Sequence, residues 1–467
     1  MTGHSDTTSH SSATPPPVDA ADILATLGPM RPHGRVVATI LLAVALWGLV
    51  CWGYQIKNGL AVTAMSDYFS WGVYIINFVF FIGISMAGTL ISSMLRLTGA
   101  EWRRPITRMA EGITLFALLV AGPMVIIDMG RPDRLLHVFL YGRLQSPILW
   151  DILSLTTYMA GSVLFLYLPM IPDMAILRDS GLPFPAWRQR LYRALALGWH
   201  GTPQQHRRLG KLMAIMSIVI IPVAVSIHTV TAWIFGMTLR PGWHTTIIGP
   251  DFVIGALYSG IAAVITAMAL FRRFFHLERH ITPKHFRNLS LLLLTAGVCY
   301  LYFTINEYVG SEYVSPTIET HLLAAIFGGS YAIQFWTMVS IGLLVPLAIL
   351  ALPWTRSIGG IVTASVLVNI GMWLMRYVIV VPTLSVPYVP IRSAVVLAYA
   401  PTWVEWSITA GGFAAFALMY ILFSKIFPII SIWELIPEPH PAPASPQPAG
   451  AGAIAGNSVA PAEGAML

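Results

Sequence analysis

Apolar residues fall into ten long blocks along this chain, near 36–56, 70–95, 107–128, 150–172, 210–236, 251–271, 288–306, 323–350, 358–380 and 404–428. Each block supplies the roughly 20 apolar residues that a helix needs to cross a hydrocarbon core. The blocks lack the strict alternation of barrel strands, and a spanning segment must satisfy its own backbone hydrogen bonds, so they predict helices. A membrane β-barrel is excluded. The pattern predicts an all-α polytopic membrane protein of about ten transmembrane helices.

The two ends follow another pattern. Residues 1–34 are rich in Ser, Thr, His and Pro and lack a basic stretch followed by an apolar core, which predicts a disordered cytoplasmic tail rather than a signal peptide. Residues 435–467 are mostly Pro, Ala, Gly and Ser and predict a second such tail. Residues 35–434 form the transmembrane domain.

Composition makes the bilayer reading firmer. Apolar residues make up 56% of the chain and charged ones 10%, against about 25% charged in soluble domains. Placed on the ten-helix arrangement, the 27 Lys and Arg residues divide 20 to 7 between the two faces. The richer face takes Arg31, Arg35, Arg96, Arg103, Arg104, Arg108, the run from Arg178 to Lys211, the run from Arg272 to Arg287, Arg356 and Lys425. The positive-inside rule puts that face, with both termini and the 173–209 loop, in the cytoplasm of a bacterial inner membrane. Anionic lipid headgroups account for the net charge of +7, so no nucleic acid is implied. Cys51 and Cys299 stand alone within spans, and no C-x-x-C or C-x-x-C-H occurs, so the chain is expected to hold no haem, iron–sulfur cluster or other metal by itself.

Ionisable residues at membrane depth gather toward the outer ends of the spans, leaving the inner halves nearly empty. The third span ends in Asp128-Met129-Gly130-Arg131-Pro132-Asp133-Arg134, followed by His137, and the fourth begins Ser146-Pro147-Ile148-Leu149-Trp150-Asp151. Two carboxylates thus approach one interface from adjacent helices. A plain helix-end reading competes: Gly130 fits a C-cap, Pro132 stops the helix, Arg131 complements the dipole and Asp151 suits a helix N-terminus. His228 lies in the outer third of the fifth span, where a lone histidine usually bonds between helices, and Asp251 opens the sixth. Trp150 and other span-end tryptophans read as interfacial anchors. Arg376 and Glu405 are placed to pair across the ninth and tenth spans, and Glu307, Glu312 and Glu319 make one outer loop acidic.

Three segments carry a family resemblance: the helix from Asn77 to Ser92, the Asp-Met-Gly-Arg-Pro turn at 128–132, and Ser146 to Asp151. Together they resemble the NrfD/PsrC family of quinone-binding membrane subunits, most of all the ActC subunits of alternative complex III, which are also similar at 168–173 and 241–244. The resemblance implies two four-helix bundles, here 70–236 with the quinone site and 251–380, flanked by the first and tenth helices. It implies oxidation of quinol, menaquinol above all, on the periplasmic side, with electrons passed to a periplasmic iron–sulfur or molybdopterin-type subunit among other membrane subunits, and with coupling to proton translocation. Asp151, Asp128 and His137 are then the candidate proton acceptors, because quinol oxidation needs bases near both hydroxyls. His228, Asp251, Arg131 and Trp150 become candidate pocket or relay residues. The anchor subunit of a polysulfide-reductase-like molybdopterin enzyme is the alternative within the family. A secondary transporter is the alternative outside it, and the lack of ionisable residues at midplane speaks against that.

Overall fold

Each apolar block folds as a helix because lipid offers its backbone no partner, so every N–H must find a carbonyl within its own segment. The computed structural model describes residues 21–314, 317–386 and 399–435. Among them, ten helices are long and apolar enough to cross a membrane. They are α1 (Pro32–Asn58), α2 (Val73–Leu97), α3 (Thr107–Asp128), α4 (Pro147–Tyr167), α5 (Pro203–Met237), α6 (Ile248–Phe275), α7 (Pro283–Val314), α8 (Ala332–Ala351), α9 (Ile358–Ser385) and α10 (Trp403–Ile426). The protein is a polytopic, all-helical membrane protein. Large apolar side chains such as Val36, Ile40, Ile215, Ile218 and Phe274 stand exposed on α1, α5 and α6, as lipid-facing surfaces require.

Two four-helix rings follow from which helices touch. Helix α2 packs on α3 and α5, and α4 closes the first ring by packing on both of those. The second ring joins α6, α7, α8 and α9 in the same manner. The rings meet where α2 lies against α6, supported by α5 on α6 and α9 on α2. The first and last spans lie together: α1 runs along α10, which rests on α3. Their contact is glycine on glycine, since a Cβ on Gly48 would come 2.8 Å from the Gly411 Cα. Gly342 and Gly371 bring α8 and α9 together in the same way, within a π-helical stretch at Met338–Leu344 whose Gly342 carbonyl accepts from the Tyr258 hydroxyl at 3.0 Å.

Three boundaries differ from expectation. The block at 323–350 is broken after a short helix, Thr317–Phe327, because Gly328 and Gly329 interrupt it before α8 begins. The fourth block runs on through Leu168–Met170 into a helix at Ile171–Asp179. Part of the expected N-terminal tail is packed: a helix at Ala21–Thr26 buries Ile23, and the carbonyls of Thr26 and Leu27 accept from Lys425 and Arg188 at 2.8 and 3.1 Å. Residues 1–20 and 436–467 of the predicted tails lie outside the described residues.

At the end rich in basic residues, the chain beyond α10 is tied down by buried charge. Arg108 pairs with Asp173 and donates to the Pro169 carbonyl at 2.9 Å, while Asp173 accepts from the Ile432 and Trp433 amides at 3.2 and 2.8 Å. Glu434 pairs with Arg96 at 3.2 Å and Arg103 at 3.1 Å.

Candidate functional site

Pro147 starts α4 with its φ already helical, and Trp150 holds the incoming loop by donating to the Leu144 carbonyl. Asp151 follows one turn later, 5% exposed, too far along the helix to cap it. Its carboxylate points at α5 and accepts from the Thr231 hydroxyl at 2.7 Å. One turn earlier on α5, His228 sets Nδ1 2.7 Å from the Ala224 carbonyl and Nε2 3.1 Å from the Ile82 carbonyl of α2. A neutral imidazole donates to only one of these carbonyls, and through the Nε2 contact the ring links α5 to α2. Asp151, Thr231, His228 and Ile82 form one polar seam through three helices of the first bundle.

Asp128 shares that end of the bundle but takes other neighbours. It closes α3, and Gly130, at φ +67°, turns the chain away as a left-handed C-terminal residue, as the cap reading predicts. Its Oδ1 is buried without a hydrogen-bond partner among the described residues, and the other groups acting on it are the Gly72 amide and Glu405. Glu405 is enclosed at the start of α10, accepting from the Ala64 and Thr402 amides at 2.8 Å each and from the Tyr399 hydroxyl at 2.6 Å. The Tyr399 hydroxyl in turn accepts from the Val73 amide at 2.7 Å. The expected Arg376–Glu405 pair therefore does not form: Glu405 is satisfied by amides and a phenol, while Arg376 lies over the Phe252 ring at 5.2 Å.

The turn between α3 and α4 stays at the surface. Arg131 forms a two-point pair with Asp133 at 3.0 and 2.9 Å, and its guanidinium holds that exposed carboxyl below the usual range. His137 is exposed, edge-on to Tyr141 at 5.3 Å, and touches neither Asp128 nor Asp151.

Hydroxyls line the interior of the first bundle along α2. Ile82, Ser85, Thr89 and Ser92 recur along one face of α2. Thr114 donates to the Ser85 carbonyl at 2.6 Å, Tyr158 reaches the same carbonyl at 3.1 Å, and Thr89 lies 3.0 Å from the Tyr158 hydroxyl. Gly88 makes this approach possible, since a Cβ there would sit 2.0 Å from the Ala110 carbonyl oxygen. One turn further, Ser92 donates to Glu111, which is buried one turn into α3. Glu111 corrects the expectation of empty inner halves. It escaped notice because it directly follows the basic cluster at 96–108 and reads there as a surface counter-charge.

Asp251, the remaining candidate, opens α6 in the second bundle. It lines a cavity of about 60 Å³ with Trp243, Phe252, Glu307, Tyr308 and Glu319. Trp243 separates this cavity from the first bundle, stacked on Trp71 at 5.4 Å and donating to the Ile379 carbonyl at 2.9 Å. Among the described residues no group of three or more His, Cys, Asp or Glu side chains is arranged to hold a metal ion.

Comparison with known proteins agrees with this architecture. The family described as "Polysulphide reductase, NrfD" matches residues 61–387. A Halobacterium salinarum protein described as a membrane subunit of dimethyl sulfoxide reductase is 30% identical over 72% of this chain and 74% of its own length. A subunit of the selenate reductase of Mesobacillus selenatarsenatis is 26% identical over 87% of this chain and 97% of its own. The integral membrane subunit of menaquinone reductase from Nitratidesulfovibrio vulgaris is 23% identical over 82% and 88%. Nothing in these relatives supports the expected closer kinship with alternative complex III.

Proposed function

The chain belongs to the NrfD polysulphide reductase family, and from that premise we propose that it is the quinone-interacting membrane subunit of an oxidoreductase complex, with menaquinol as substrate class and Asp151 as its proton acceptor. The observation that carries this reading is the buried Asp151–Thr231 pair beside His228 at one end of the first bundle. A carboxylate kept from bulk water is retained where its proton chemistry is used.

When bound, menaquinol supplies two electrons together with two protons. The residues present fit that requirement. The Thr231 hydroxyl occupies one Asp151 oxygen and fixes the carboxylate, leaving its remaining lone pairs to take a proton. Asp128, whose buried Oδ1 has no partner among the described residues, offers a second acceptor from α3. His228 acts by position, pinning the Ile82 carbonyl and thereby the register of α2 against α5. Buried apolar residues around it, among them Ile220, Ala224 and Ile227, exclude water. Electrons leave to a partner subunit that carries the redox centres, a reading supported by relatives that are themselves named as subunits of reductases.

A proton route toward the opposite face is part of the proposal. Ser85 donates to the Ile82 carbonyl, the hydroxyls of Tyr158, Thr89 and Thr114 cluster about the Ser85 carbonyl, and Ser92, about one turn beyond Thr89 on α2, donates to Glu111. With the 20 to 7 division of basic residues, both termini and the Glu111 end are cytoplasmic and the Asp151 end faces outward.

Photo-crosslinking tests the reading: a photoreactive menaquinone analogue bound to the full chain in lipid nanodiscs should label peptides of α2, α4 and α5 around Ile82, Asp151 and His228. Labelling confined to α6, α7 and α9 would move the site to the second bundle and overturn it.

A further inference from the structure

The cavity of the second bundle contains more acid than the structure neutralises. Three carboxyl side chains line it: Asp251 from α6, Glu307 from α7 and Glu319 from the short helix Thr317–Phe327. An imidazole and a guanidinium lie near them. His244 meets Glu319 at 3.0 Å at the mouth, with the imidazole half exposed and Glu319 5% exposed in its side chain. Arg376, from α9, is 2% exposed and its charge acts on both Asp251 and His228. That leaves Glu307, whose carboxylate accepts from the Thr245 hydroxyl at 3.1 and 2.8 Å and makes no ion pair among the described residues, the imidazole near it being that of His244, which contacts Glu319. Burying an isolated charge is costly, so a carboxyl without a paired counter-charge keeps a proton or a bound cation.

We infer that this cavity is a second protonic site, in which Asp251 and Glu307 share one exchangeable proton with trapped water, behind a mouth closed by His244 and Glu319. Three observations point there. Asp251 Oδ1, in a residue 6% exposed, has no hydrogen-bond partner among the described residues although it lines open space. At about 60 Å³ the cavity has room for a few waters, each needing roughly 10–15 Å³. Tyr308, Ser311 and Thr383 also line the cavity, so hydroxyls are at hand for those waters. A proton fits better than a metal cation because, among the described residues, no three ligating side chains converge.

Arg376 joins this site to the first bundle. It passes between α2 and α6 at two glycines: a Cβ on Gly255 would lie 3.3 Å from Nη2, and one on Gly83 3.7 Å. Gly83 directly follows Ile82, the residue whose carbonyl His228 contacts. A proton arriving at Asp251 therefore changes the field on the seam that holds Asp151. This coupling rests on the quinone reading above, whereas the protonic site itself does not.

Infrared difference spectroscopy on the full chain in lipid, with no quinone present, tests the site. Wild type minus the Asp251→Asn/Glu307→Gln double variant should show a carboxylic-acid C=O band that shifts in D₂O. Thr245→Val, which removes no carboxyl, should displace that band by taking away the hydroxyl donor. Absence of the band, or a band unmoved by D₂O, overturns the proposal. A band that disappears on adding sodium marks a monovalent-cation site and overturns it too. If the double variant fails to fold, an unshifted spectrum in Thr245→Val is sufficient to reject it. Failure here leaves crosslinking at α4 and α5 unaffected, and failure of that crosslinking leaves this band unaffected.

Discussion

Asp151→Asn separates chemistry from packing at the proposed site. The substitution keeps the size and shape of the side chain, and the amide oxygen can still accept from Thr231 across the 2.7 Å that the carboxylate now spans. What changes in stability is one bond to a charged acceptor becoming a bond to a neutral one, from about 1.5–3 to about 0.5–1.5 kcal/mol, a loss near 1 kcal/mol. What changes in rate is larger, because an amide takes no proton at neutral pH. General-base contributions of about 10²–10⁴ correspond to roughly 3–5 kcal/mol of barrier, and allowing Asp128 to substitute in part, turnover should still fall at least ~10-fold. The assay is quinol-dependent reduction of an acceptor by the assembled complex, run beside a melting curve that verifies the small stability change. Thr231→Val provides the companion measurement: it leaves the carboxylate in place, so its loss of turnover should be smaller than that of Asp151→Asn. Wild-type turnover in an intact Asp151→Asn complex would refute the reasoning and leave Asp128 as the acceptor to examine.

Further outcomes follow from other parts of the fold. Glu111→Gln should reduce proton movement in closed vesicles more strongly than it reduces turnover in detergent, and equal losses would argue against a route along α2. Arg108→Met leaves Asp173 buried without its cation and should destabilise the protein by about 3–5 kcal/mol, read as a lowered melting temperature in detergent. Gly48→Leu drives side-chain atoms into the Gly411 backbone and should cost about 1–3 kcal/mol by the same measurement, with an unchanged melting temperature contradicting the close α1–α10 contact. Reporter fusions at the C-terminus and in the 129–149 loop should mark the first as cytoplasmic and the second as external, and the opposite pattern would reverse the faces assigned to Asp151 and Glu111.

Hydropathy is a local property, and for that reason the ten spans are legible in the sequence alone: a stretch of about 20 apolar residues has one low-energy fate in lipid wherever its neighbours lie. The turn after Asp128 is legible for a similar reason, since Gly130 needs only its own φ of +67° to end the helix. Partnership across helices is another matter. Hydroxyls in apolar helices bond their own preceding turn as readily as a neighbour: Thr156, Ser217 and Thr229 donate back to the fourth residue before them, whereas Thr231 and Thr114 reach other helices. Spacing shows which residues share a face of α2 but not that Tyr158 and Glu111 meet that face. The same limit separates Asp128 from Asp151, which approach the same end of the bundle along adjacent helices yet meet the Gly72 amide ahead of α2 and Thr231 of α5 respectively. It also sends Glu405 to Tyr399 and leaves Arg376 between Gly83 and Gly255. Which helix face meets which is decided by glycine contacts such as Gly88 on Ala110 and Gly48 on Gly411, and these are properties of two backbones at once, absent from any single stretch of chain.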